Sequence, residues 1–164
     1  MTAQPTEHAR LYERILDDMS DGVMAVTRQG IVVGFNPMAA DILGVEAEDV
    51  LDGPLFGLFA EGGGNDAFID TITEAIQDDK PVIDRIVGIG TGDGARSLSV
   101  KTSRLRDGGG GIVVVFQDIT EIEALRHRDR EMAESLKVQH GELQQAYLDL
   151  DRKSKELEQT GKRL

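Results

Sequence analysis

The last 44 residues, from Glu121 to Leu164, contain no proline and place apolar residues at a spacing of seven. With Ile122 at position a of the repeat, the a positions are Ile122, Asp129, Leu136, Leu143, Leu150, Leu157 and Leu164. The d positions are Leu125, Met132, Gln139, Ala146, Lys153 and Thr160. Because a seven-residue repeat gives a helix one apolar stripe, this pattern predicts a coiled coil over residues 121–164.

Such a helix extends about 66 Å at 1.5 Å per residue, so a domain of this size cannot cover it along its length. A single exposed helix is also marginally stable in water. We therefore expect a homodimer whose seam is Ile122, Leu125, Met132, Leu136, Leu143, Leu150 and Leu157. The alternative is a solvated helix that docks on the body of the chain. The spacing does not decide between parallel and antiparallel pairing, and the polar seam positions Asp129, Gln139 and Lys153 loosen the packing.

The helix pattern ends without a stop signal, so we expect it to continue beyond Leu164 in a longer protein. The formal net charge is −12, and residues 121–164 hold 10 acidic and 9 basic side chains. Nearly all the excess negative charge therefore lies in residues 1–120. An acidic body repels phosphate groups, which argues against nucleic-acid binding and against direct contact with anionic membranes.

The chain has no cysteine. Disulfides, thiolate metal sites and a cysteine nucleophile are therefore excluded, and a reducing compartment is favoured. Residues 1–10 lack the apolar run of a signal peptide, and no stretch reaches the ~20 apolar residues of a membrane span. The sequence thus predicts a cytoplasmic protein.

Apolar residues three and four apart predict an amphipathic helix from a cap at Thr6 to about Met19. Its apolar face, which includes Leu11, Ile15 and Leu16, is a second candidate contact in the dimer. Residues 23–27 and 31–35 are rich in β-branched residues and predict a hairpin. Asn36-Pro37 predicts the start of a short helix that ends at Gly44.

The second half of the body predicts a helical turn over residues 45–51, an apolar stretch of uncertain type over 54–60, and a flexible glycine loop at 61–64. A helix over 66–78 should begin at a cap on Asn65. Strands are predicted at 82–89, 97–105 and 112–116. The last of these is apolar at every position, so we expect both of its faces to be covered, one of them by the N-terminal helix or a partner subunit.

Sites of chemistry are scarce. Gly90-x-Gly92-x-x-Ala95 fits a relaxed dinucleotide-binding pattern, but a strand follows it where a helix is required, so it is interpreted as a hairpin turn. The three histidines lie on polar helix positions without a second metal ligand nearby. Together these features predict no catalytic or metal site, and hence no enzyme within these residues.

The body resembles a PAS domain of the bacterial signalling type. Asp21-Gly22 before the first strand, the segment from Gly34 to Gly44 and the stretch from Glu48 to Gly53 are similar to the motifs of that family. Asp118-Ile119-Thr120, between the last strand and the long helix, resembles its D-I-T exit motif. The resemblance covers residues 7–125.

The resemblance implies an α+β fold: a five-stranded antiparallel sheet with short helices on one face, an N-terminal amphipathic helix and a long C-terminal coiled-coil helix. The expected domains are a flanking helix at 1–20, a sensor domain at 21–120 and a signalling helix at 121–164. PAS domains bind ligands in a pocket cupped by the sheet. The candidate pocket residues are Phe35, Ile42, Phe56, Phe59, Phe68, Ile72, Val100, Val114 and Phe116, and simple core packing is the alternative for each.

The cofactor stays open. PAS domains that form a covalent flavin adduct use a cysteine, and those that bind haem use a histidine on the longer helix. Because the chain has no cysteine and residues 65–80 contain no histidine, the resemblance argues against both mechanisms. The predicted function is a sensory and dimerisation module that relays a change through Asp118, Ile119 and Thr120 to an output domain beyond Leu164. A ligand-free dimerisation or protein-interaction adaptor is the alternative.

Overall fold

The computed structural model describes residues 6–59, 65–106 and 109–162. The predicted glycine loop at 61–64 and the seam residue Leu164 lie outside these ranges. The chain divides into two units, residues 1–121 and 122–164, and the second consists of the greater part of the last helix.

The first unit begins with helix α1 (Glu7–Asp17), which ends two residues before the predicted Met19. Strands β1 (Gly22–Thr27) and β2 (Val32–Phe35) follow. Next come α2 (Pro37–Leu43), α3 (Ala47–Val50) and a 3₁₀ turn (Leu55–Phe59). The remaining elements are α4 (Asp66–Gln77), β3 (Arg85–Thr91), β4 (Gly94–Leu105), β5 (Gly111–Asp118) and α5 (Thr120–Lys162).

The five strands form one antiparallel sheet in the order β2-β1-β5-β4-β3. Strand β5 lies at the centre although it is the last strand in the chain, so the pairs β2-β1 and β4-β3 are joined into one sheet only through β5. The predicted fold class is confirmed, and the glycine-rich segment at 90–94 forms the turn of the β3–β4 hairpin.

Alternation of side chains along each strand gives the sheet an inner and an outer face. The inner face packs against α2, the 3₁₀ turn and α4. Its fully buried side chains include Met24, Val26, Leu98, Val100, Val114 and Phe116. The helices contribute Phe68 and Ile72, which are also fully buried.

The outer face is covered less completely. In β5, Ile112, Val114 and Phe116 are buried on the inner face, whereas Val113 and Val115 on the outer face are half-buried. Helix α1 lies beside this outer face, as expected, but none of its own residues is buried. Within a single chain, therefore, the inner face of β5 is fully covered as predicted, whereas its outer face is only partly covered.

Candidate functional site

The passage from β5 into α5 is held by side-chain hydrogen bonds. The Asp118 Oδ1 accepts from the Thr120 backbone amide at 3.0 Å and from the Thr120 hydroxyl. The Thr120 Oγ1 in turn accepts from the backbone amide of Ser97 in β4 at 3.0 Å. The first residue of α5 is thereby attached to two neighbouring strands.

Ile119 fixes the same junction from the inside. Its side chain is buried, and its backbone amide donates to the Ser97 carbonyl at 2.8 Å. Residues 119 and 120 are thus held by four hydrogen bonds, two with Ser97 and two with Asp118, and a hydrogen bond of this kind contributes about 1 kcal/mol.

Arg96 connects the junction to helix α2. Its Nη1 donates to the carbonyls of Asp41 and Ile42, both at 3.1 Å, at the C-terminal end of α2. The same Nη1 lies 3.8 Å from the Asp118 Oδ2. A cation is favoured at the C-terminal end of a helix, where carbonyls lack intrahelical partners. One guanidinium thus links a helix of the domain to the aspartate that caps α5.

The role of Arg96 was not predicted from the sequence. It is one arginine on an alternating strand, and nothing in the spacing shows that α2 lies opposite it. Arg96 lies one residue before Ser97 in β4. Only the β4–β5 register, in which Leu98 faces Asp118, shows that this position is next to the D-I-T segment.

Asn36 joins three elements at the other end of α2. Its Oδ1 accepts from the Val23 amide at 2.8 Å and from the Ala39 amide at 2.9 Å, the latter being the predicted helix cap. Its Nδ2 donates to the carbonyls of Asp21 at 3.0 Å and Leu16 at 3.1 Å. A buried amide therefore ties the end of α1 and the start of β1 to α2.

The predicted caps at Thr6 and Asn65 are not made by their side chains. Asn65 instead uses its amide group on the backbone of β3, accepting from the Gly90 amide at 2.7 Å and donating to the Gly90 carbonyl at 3.1 Å. The loss of capping by Asn65 is thus offset by a connection between α4 and the sheet.

Most candidate pocket residues lie together in the core. Phe59, Phe68 and Phe116 form a chain of edge-to-face contacts, with ring centroids 6.0 Å and 5.4 Å apart. Buried around them are Ile42, Ile72, Val100 and Val114, while Phe35 is half-buried at the margin. The structure therefore brings eight of the nine residues to one inner region, tightly packed at its aromatic centre.

Phe56 is the exception, because its side chain is 71% exposed, contrary to the expectation that it faces inward. The segment forms a 3₁₀ turn, in which residues three apart share a face. Leu55 and Leu58 occupy the inner face and are buried, which leaves Phe56 directed outward.

The predicted seam residues are all exposed in the single chain. They range from Leu16, at 41%, to Leu157, at 73%. None of the described residues of α5 is buried. Within the described ranges no group of three acidic or histidine side chains could hold a metal ion, and no helix is long and apolar enough to cross a membrane.

The strand order, the helices on one face and the direct passage from the central strand into a helix define a single-sheet α+β architecture. A family model described as the PAS fold matches residues 10–119. The chain belongs to the PAS family.

Among curated proteins, the chain is 29% identical over 132 residues to the signal transduction histidine-protein kinase AtoS of Escherichia coli K12. The match covers 79% of this chain and 21% of AtoS, so the chain spans about a fifth of that relative's length.

Two solved structures share the fold. The PAS domain from Bordetella pertussis BvgS has a TM-score of 0.55 at 19% identity, covering 79% of this chain and 99% of that domain. The PAS domain of nitrogen regulation protein NR(II) from Vibrio parahaemolyticus has a TM-score of 0.52 at 18% identity, covering 66% of this chain and 98% of that domain.

Proposed function

We propose that this chain is the sensory and dimerisation module of a bacterial signal-transduction protein. Residues 21–120 would detect a ligand or a change of state, and residues 121–164 would pass that change to an output domain in a longer protein. The similarity to a histidine kinase supports a kinase as one such output. Any catalytic activity would then reside outside this chain, and a cytoplasmic location fits its lack of cysteine.

The observation that carries the proposal is the attachment of α5. Asp118 and Thr120 fasten its first turn to β4 and β5, and Arg96 joins Asp118 to the end of α2. A shift of α2 relative to the sheet, produced by a ligand or a change in core packing, would alter the Arg96 contacts. The hydrogen bonds that hold the first turn of α5 would change with them, because Asp118 is shared by both sets of contacts.

The relay also requires a second copy of the chain. The leucines of α5 are exposed in the single chain, and burying each in a seam would contribute about 1.5–3 kcal/mol. Parallel pairing would place the two sensor domains at the same end of the coil. Leu11 and Ile15 on α1 offer a smaller additional contact.

Substituting Arg96 by glutamine tests the relay within the full chain. We expect amide hydrogen exchange over residues 120–125 to accelerate about twofold to fivefold, since the lost contacts are partly exposed and each contributes less than about 1 kcal/mol. The effect should appear at the start of α5 and at the end of α2, measured by mass spectrometry.

Arg85→Gln is the matched control. Arg85 lies on strand β3 and pairs with Glu74 of α4 at 2.6 Å, so its loss removes a comparable ion pair away from the junction. Exchange at residues 120–125 should be unchanged in this variant. Equal exchange at the junction in the wild type and in Arg96→Gln would contradict the relay through Arg96.

A ligand-free adaptor is the second candidate, favoured by the dense aromatic packing around Phe68 and Phe116. An adaptor predicts the same dimer but no bound small molecule. Native mass spectrometry together with the absorption spectrum of the purified chain separates the two: a reproducible bound compound supports sensing, and an empty chain that no metabolite stabilises thermally supports the adaptor.

A further inference from the structure

A cavity of about 490 Å³ lies on the outer face of the sheet, beside helix α1. It is separate from the aromatic core, which lies on the opposite face. Its volume is within the range of about 300–1,000 Å³ that is usual for small-molecule sites. Strands β1, β2 and β5 contribute its floor, and α1 forms one wall.

The floor and wall of the cavity are apolar. Val23, Ala25 and Val113 supply half-buried side chains from β1 and β5, and Leu16 of α1 borders them. A ligand can approach the sheet here because Gly34, which lies opposite Ala25, has no side chain. A Cβ at position 34 would lie 3.1 Å from the Cβ of Ala25. An apolar group of several carbons can therefore contact the sheet directly.

The charged groups that line the cavity are both carboxylates. Glu13 and Asp17 lie four residues apart on α1 and hence on the same face of the helix. Neither forms an ion pair within the described part of the chain, and no basic side chain lines the cavity. The other polar side chain present, Asn36, already uses both atoms of its amide group.

We propose that this cavity binds a small organic cation, an ammonium group carrying an apolar chain. The chain would lie over Val23, Ala25 and Val113, and the ammonium would lie between Glu13 and Asp17. Apolar contact supplies affinity, and the paired carboxylates select against anions. The acidic body of the chain raises the local concentration of cations.

This site goes beyond the proposed function, since binding there requires neither relay nor pairing of α5. Of the α1 residues proposed for the dimer contact, Leu11 and Ile15 are exposed and do not line the cavity, whereas Leu16 borders it, so a bound cation leaves Leu11 and Ile15 available for pairing. A bound cation would fix α1 against β1, next to the Asn36 contact with the Leu16 carbonyl.

Isothermal titration of the full chain tests the proposal with three probes of equal chain length. We expect n-hexylammonium to bind, 1-hexanol to bind at least about fivefold more weakly, and hexanoate not to bind. The affinity for n-hexylammonium should fall as salt is raised, because the carboxylates lie near the surface. Equal binding of the alcohol and the ammonium, or no binding of any probe, would overturn the proposal.

Paired variants locate the site. Glu13→Gln with Asp17→Asn should weaken n-hexylammonium binding about fivefold to tenfold, as loss of two exposed charge contacts would. The control pair Glu7→Gln with Asp18→Asn removes the same charge from α1 and the residue that follows it, outside the cavity, and should leave the affinity unchanged. If both pairs of substitutions lowered the affinity equally, the effect would come from net charge alone, and the proposed site would be wrong.

Filling the floor is the complementary change. Ala25→Leu should abolish binding of n-hexylammonium because its larger side chain occupies the place of the apolar chain. Retained binding in a folded Ala25→Leu chain would contradict the location. If this variant does not fold, the two double variants of carboxylate residues still test the location of the site, since they change exposed residues only.

Discussion

Replacing Asn36 by alanine is expected to lower the free energy of unfolding of the PAS domain by about 3 kcal/mol. The change removes a helix cap, which contributes about 1 kcal/mol, and leaves three partly buried backbone groups without partners, each costing less than the about 1–3 kcal/mol of a fully buried group. The amide of Val23 and the carbonyls of Leu16 and Asp21 lose their hydrogen bonds to Asn36.

For a domain of this size, we expect the melting temperature to fall by about 10–20 °C. Chemical denaturation of the full chain, followed by a signal specific to the sheet, gives the free energy directly. We further expect α1 to exchange its amide hydrogens faster, because Asn36 donates to the carbonyl of Leu16.

Asn65→Ala is the control for this prediction, as Asn36 and Asn65 are the two asparagines of the chain. Both are buried, but Asn65 makes two hydrogen bonds, both to Gly90, against four made by Asn36. Its loss should cost about half as much. If Asn65→Ala were as destabilising as Asn36→Ala, the linking role assigned to Asn36 would be wrong.

The second large effect concerns pairing. Changing both Leu143 and Leu150 to aspartate should raise the dissociation constant of the dimer at least about a thousandfold, since four leucines would leave the seam and four charges would enter it. Sedimentation equilibrium of the full chain measures the change. The helices of the separated chains should also lose α-helical signal, because a lone helix is marginal in water.

Val138→Asp with Leu148→Asp provides the control. Both residues lie on α5, both are about 60% exposed, and both fall outside the a and d positions. This variant should keep the dimer. If the Leu143 and Leu150 variant remained an equally strong dimer, α5 would not be the main contact, and α1 with Leu11, Ile15 and Leu16 would take its place.

Much of the fold follows from local sequence signals. Runs of β-branched and apolar residues placed the strands, and apolar residues three to four apart placed α1 and α4, because these patterns reflect which residues of an element are buried. Asn36-Pro37 and Gly44 bounded α2 correctly: Asn36 caps it, and Gly44 adopts a left-handed conformation with φ of 67°. Such signals depend only on residues close together in the chain, so they can be recognised in a single sequence.

The features that sequence did not supply are contacts between distant segments. Arg96 meets the carbonyl of Asp41, 55 residues away, and its side chain carries no mark of that partner. Phe56 was a candidate pocket residue, but Leu55 and Leu58 occupy the inner face of the 3₁₀ turn and Phe56 is exposed. The outer cavity depends on how α1 lies beside the sheet, which periodicity does not determine.

We propose that α5 is one of two parallel helices in a dimer, and a pair of spin-label distances tests this pairing most directly. Because the chain lacks cysteine, His127→Cys and Lys155→Cys each give a single label on the outward f position of the repeat. The two sites are 28 residues apart on one helix, or about 42 Å.

In a parallel pair, both labels should give similar distances of about 20–35 Å between copies, since paired helices lie roughly 8–10 Å apart and the labels extend outward. In an antiparallel pair, at least one of the two distances must exceed about 42 Å, because both sites cannot face their own copies. Two similar short distances are the predicted result; one long distance, or no dipolar coupling at either site, would contradict the claim.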